Sequence, residues 1–108
     1  MLKTPKVLGQ VAAGATTLTT LYTAPIQTSV EINNICICNR SAATTFRVAI
    51  QPKGVTVANE HYIAYDSPIA ANDTIILENF TLASTDVISV YAGAATLTFS
   101  VYGSELRG

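Results

Sequence analysis

Apolar side chains in this chain recur at every second position in short runs, and no long stretch keeps the three-and-four spacing of an amphipathic helix. Phe46, Val48 and Ile50 alternate with Arg47, Ala49 and Gln51, and Leu97, Phe99 and Val101 alternate with Thr98 and Ser100. Further strand-like runs cover residues 16–23, 28–39, 60–66, 74–80 and 87–92. Turn signals separate them: Ala24-Pro25, Asn39-Arg40-Ser41, Pro52-Lys53-Gly54, Ser67-Pro68, Asn72-Asp73 and Ser84-Thr85-Asp86. Proline cannot donate to a ladder, and glycine tolerates the positive φ of a tight turn. In the longest run Val30 and Ile32 share one face while Ile35 and Ile37 point to the other. That phase change at Asn33-Asn34 signals a bulge or burial of both faces. The runs 87–92 and 96–102 read as a terminal hairpin around Gly93-Ala94. Seven to eight short strands at this spacing point to an all-β chain, an antiparallel sandwich or small barrel, with an antiparallel two-sheet β-sandwich of jelly-roll or immunoglobulin-like type as the favoured reading. The strand order stays open.

A chain of 108 residues is one domain's worth. Residues 1–12 lack strong alternation and read as an N-terminal arm, leaving 13–108 as the sandwich domain. Such an arm is suited to adding a strand to a neighbouring subunit, with Lys6, Val7 and Leu8 as the contacting segment. This reading implies that the domain folds without residues 1–12. Charged residues make up only 12% of the chain, against ~25% in ordinary soluble domains. Interface cores are depleted in charge because desolvating a charge is costly, so the composition points to an assembly subunit. With a net charge of -1 and no basic run, direct nucleic-acid binding is not expected. Met1 to Lys6 leads into no long apolar run, so neither a secretion signal nor a membrane span is expected.

No residue set carries a catalytic signature. Cys36 and Cys38 lie one residue apart on a strand and share a face, where a bridge between them would be strained. They read as buried small side chains, with a disulfide to another chain as the alternative. A metal site would need ligands that one histidine and two cysteines do not supply. His61 has no nucleophile and orienting carboxylate in register with it, and Asp66 falls on the opposite strand face. Asp73 and Asp86 sit among turn residues and read as capping groups. Tyr62 shares a face with Ala64 and Asp66, Tyr65 with Ile63, so one tyrosine of the two points outward. An outward tyrosine on a sandwich can bind a sugar or a partner protein. The expectation is a non-enzyme with no cofactor.

Several strand and turn phrases occur together and in order. They include Leu21-Tyr22-Thr23-Ala24-Pro25, Ile37-Cys38-Asn39-Arg40-Ser41, Thr45-Phe46-Arg47-Val48-Ala49-Ile50 and His61-Tyr62-Ile63-Ala64-Tyr65-Asp66. Ile69-Ala70-Ala71-Asn72-Asp73-Thr74, the run from Leu82 to Tyr91, and Tyr102-Gly103-Ser104-Glu105 follow. With these phrases the chain resembles small virion structural proteins of tailed bacteriophages, notably those of cyanobacteria, from about residue 8 to residue 105. The resemblance implies a β-sandwich built into the particle and brings no catalytic residues. The reading that follows is a capsid decoration (cement) protein. It would bridge subunits of the major capsid protein or other virion proteins, often as a homotrimer, and be assembled in the bacterial host cytoplasm. The alternatives are a tail, baseplate or fibre component that binds a receptor or glycan through Tyr62 or Tyr65, and a free carbohydrate-binding module.

Overall fold

The computed structural model describes the backbone of residues 2–107 and the side chains of residues 5–106. Eight strands follow one another: β1 (Leu2–Ala12), β2 (Thr19–Thr23), β3 (Thr28–Asn39), β4 (Thr44–Gln51), β5 (Tyr62–Ile69), β6 (Thr74–Leu82), β7 (Val87–Ala92) and β8 (Leu97–Arg107). They form two antiparallel sheets of four strands, ordered β1-β8-β3-β6 and β2-β7-β4-β5. Every connection changes sheet except β4 to β5, which is joined through two short 3-10 turns. This is the eight-stranded jelly roll rather than the strand partition of an immunoglobulin domain.

Between the sheets, Ile35, Ile37, Val48, Ile88, Val90, Leu97, Phe99 and Val101 are fully buried, and Phe46 nearly so. Each such side chain contributes roughly 1.5–3 kcal/mol relative to exposure. The alternation in β4 and β8 puts the expected residues inward. In β3 the bulge proves to be the right reading of the phase change. Ile32 pairs with Gly103 and Asn34 with Tyr102, so Asn33 is the extra residue. It resets the pleat, and Val30, Ile32, Ile35 and Ile37 all face the core instead of dividing between two faces. Strand β1, on the other side of β8, has its own irregularity at nearly the same level, where Val7 pairs with Tyr102 and Gly9 with Val101, leaving Leu8 extra. β8 runs regularly between the two bulged strands. Close approach is built in there: a Cβ on Gly103 would collide with the Glu31 carbonyl of β3.

Residues 87–92 and 96–102 are not a hairpin, because β7 and β8 lie in different sheets. Gly93 stays pinned to β4, its N–H donating to the Thr45 carbonyl at 2.8 Å. A Cβ there would stand 2.7 Å from Thr44 Oγ1. From that point the chain crosses the sandwich. Two inward-facing strands joined by a short turn look alike in sequence whether they pair or face one another. Likewise, residues 2–12 are not an arm separate from the domain. They form β1, the edge strand on β8, and Lys6 Nζ lies 3.0 Å from Glu105 Oε1. The buried Glu105 carboxylate also accepts the Tyr22 hydroxyl at 2.5 Å, so β1, β2 and β8 meet at one group.

The loops at one end are held by Asn39, which is 1% exposed. Its amide nitrogen donates to the Ala42 carbonyl at 2.9 Å and the Ala70 carbonyl at 3.0 Å. Its amide oxygen accepts Ser41 N–H and the Thr96 hydroxyl, each at 3.1 Å. At the other end, Asp86 accepts the N–H of Lys53 at 3.0 Å and that of Ala83 at 2.9 Å, the capping role expected of it.

Asn39→Ala should lower unfolding stability by about 2–3 kcal/mol in denaturant titration, since it strips partners from several loop groups at once. Deleting residues 1–12 should give a chain that fails to unfold cooperatively, because it uncovers the edge of β8 and removes the cation beside buried Glu105. A cooperative unfolding transition close to that of the full chain would restore the arm reading.

Candidate functional site

The outward face of the β2-β7-β4-β5 sheet carries a cluster of aromatic and charged side chains. Its position follows from irregularities in β5. Phe46 pairs with Ser67 and Val48 with Ala64, so Tyr65 and Asp66 together oppose Arg47. Val48 then pairs with Ala64 and Ala49 with Tyr62, which leaves Ile63 extra. Asp66 takes φ +48 at the bulge, a left-handed conformation that Asp tolerates better than most residues. Each extra residue shifts the pleat phase, and Tyr62, Tyr65 and Asp66 arrive on the face of Arg47. Simple alternation would have separated Tyr62 from Tyr65; the structure brings both rings together.

Arg47 is the centre of the cluster. Its Nε donates to Asp66 Oδ1 at 2.6 Å and its Nη2 to Asp66 Oδ2 at 3.3 Å, a two-point pairing of guanidinium with carboxylate. Its Cζ sits 4.1 Å from the Tyr65 ring centroid and 4.3 Å from that of Tyr91, so the cation is held between two ring faces. The hydrogen bond to Asp66 raises the Arg47 pKa still further above its ordinary value, so the guanidinium is charged at any working pH. Tyr62 meets Tyr65 edge to face, with centroids 4.9 Å apart and planes at 82°. Tyr62, Tyr65 and Asn59, from the 3-10 turn before β5, line an open cleft of about 420 Å³.

The other expected residues lie elsewhere. Lys6 pairs with Glu105, Val7 is exposed on the outer face of β1, and Leu8, the bulge residue, packs against the core. These three lie on the far sheet and share no site with Tyr62 and Tyr65. Cys36 and Cys38 are free thiols, half-buried on the outer face of β3 rather than buried as small core side chains. The β3 bulge sends the isoleucines inward and the cysteines out. His61 is a turn residue whose Nδ1 accepts the Ala58 N–H at 2.9 Å. Among the described residues no three metal-ligating side chains come together. Arg47, Tyr91 and Asn59 were not legible as site residues: Arg47 reads only as an outward position of β4, and its partners arrive from β5 and β7.

The fold and this face define a charge-poor jelly-roll domain with one clamped aromatic cluster. Comparison with protein families, curated proteins and solved structures finds nothing that matches the chain.

Arg47→Met should leave the circular dichroism spectrum unchanged, because the cluster is on the surface, but it should release Tyr65. NMR would show this as shifted Tyr65 ring resonances. Unshifted resonances would mean that the guanidinium does not hold the ring.

Proposed function

We propose that the chain is a structural subunit of a tailed-phage particle, a capsid decoration protein that docks on the shell and bridges its subunits. The carrying observation is the outer face of the β1-β8-β3-β6 sheet. Two consecutive cross-strand rows, Gln10-Ser100-Cys36-Ile76 and Ala12-Thr98-Cys38-Thr74, contain no charged side chain. Gln10, Ala12, Thr74 and Ile76 are exposed, and the other four are half-buried. A pleated surface of this kind can be covered by a protein partner without desolvating an ion. Repetition over a shell turns a modest contact per copy into high avidity. The low charge of the whole chain and the strand phrases resembling phage virion proteins support the same reading, as does a fold whose loops are tied at both ends. The partner is then the major capsid protein, with the decoration protein grouped as a trimer. The tail or fibre reading is favoured by a different observation, the cleft beside Tyr65.

The test is electron cryomicroscopy of particles lacking this protein, mixed with the purified chain. Density on the icosahedral shell, with the β1-β8-β3-β6 face toward it, is the expected result. Ile76→Asp should weaken binding to the shell at least about tenfold, a loss of 1.4 kcal/mol, without unfolding a domain in which Ile76 is 52% exposed. Density confined to the tail would overturn the capsid assignment, and density nowhere would overturn the particle reading.

A further inference from the structure

The cleft beside Tyr65 lies on the opposite sheet from the uncharged face and plays no part in the structural reading. It poses a physical question of its own. Tyr65 is 55% exposed, yet its ring is held by the Arg47 guanidinium, which is in turn held by Asp66 and flanked by Tyr91. An exposed aromatic ring normally gains little from being immobilised, whereas a rigid ring makes a good binding surface because less freedom is lost on contact.

The chemistry of the walls narrows the ligand. Two tyrosine rings at 82° form a corner, and Asn59 completes the lining. The corner offers π-faces, phenol hydroxyls, and a carboxamide that both donates and accepts. It offers no spare charge, because the Arg47 guanidinium is already engaged by the Asp66 carboxylate. The cleft, about 420 Å³, falls within the range of small-ligand sites. An anion would find no free cation among the lining residues. A purely aromatic ligand would stack but would strip water from Asn59 and the phenols without replacing their hydrogen bonds. A neutral pyranose satisfies both requirements: its axial C–H groups carry slight positive charge toward a ring face, and its hydroxyls reach polar groups at the rim.

We propose that the Asn59–Tyr62–Tyr65 cleft is a saccharide-binding site that takes a neutral pyranose ring, with Tyr65 as the stacking platform, Arg47 as the group that holds it rigid and Asn59 as the hydroxyl-binding group. This site is independent of the shell-docking face, so either proposal can fail alone.

The full chain would be titrated with oligosaccharides of glucose, galactose, mannose and N-acetylglucosamine, followed by NMR. Tyrosine fluorescence gives a second readout, since the chain has five tyrosines and no tryptophan. The expected result is saturable binding of at least one of these sugars at millimolar concentration or below, insensitive to added salt, with shifts centred on residues 59–65. Tyr65→Ala and Asn59→Ala should each weaken it at least about tenfold, equivalent to 1.4 kcal/mol. Tyr102→Phe, on the other sheet, should leave it unchanged. Circular dichroism would verify that the variants are folded. No response to any of the neutral sugars would overturn the proposal. So would undiminished binding by folded Tyr65→Ala, or tighter binding of sialylated or sulfated sugars or of phenol. Occupancy of Tyr65→Ala on particles tests the shell-docking face separately and should match that of the parent chain.

Discussion

Six of the seven connections in this chain carry the backbone from one sheet to the other, and backbone that leaves a ladder leaves its hydrogen-bond partners behind. Asn39 answers that problem at one end. All four hydrogen-bonding positions of its carboxamide are used, and they reach the loops after β3, after β5 and after β7. Its own N–H donates to the Asp73 carbonyl, closing the set. Asp86 does the corresponding work at the far end, where its carboxylate joins the β6–β7 turn to the turn after β4, and its carbonyl accepts the Ala24 N–H. The core supplies most of the stabilisation through burial, but burial is non-directional. These two side chains give the crossings a direction.

The bulges have a comparable importance for the faces. A strand pleat has a period of two, so one extra residue sends every later side chain to the other side. At Asn33 the shift serves the core, gathering four aliphatic side chains inward and turning two cysteines out. In β5 the irregularities serve the surface by bringing Tyr62, Tyr65 and Asp66 to Arg47. The regular strand β8, with its unbroken Leu97, Phe99 and Val101, is the reference against which β1 and β3 are displaced.

The resulting domain has two unlike outward faces. On one sheet two rows of uncharged side chains lie side by side, a surface that a partner can cover without stripping water from an ion. On the other, a single guanidinium is neutralised by a carboxylate and enclosed by rings, so that charge contributes rigidity rather than a field. The two faces thus use the few charges differently: none lies in the two uncharged rows, whereas at the cluster one charge pair fixes the rings.

Local pattern alone makes the chain all-β, marks where most strands begin and end, and selects the side chains of β4 and β8 that enter the core. Those properties follow from pleat periodicity and turn chemistry, which act over a few residues. Packing of the two sheets sets β7 and β8 face to face across the sandwich, draws Leu2–Ala12 into the domain, and turns Cys36 and Cys38 outward. The same packing brings Arg47, Asp66, Tyr65 and Tyr91 into one cluster. The pairing of Arg47 with Asp66 spans 19 positions and requires a bulge whose extra residue carries no local signature. A pattern of period two is blind to such a pairing, because the same alternation is compatible with many registers and only the packed sheets select one.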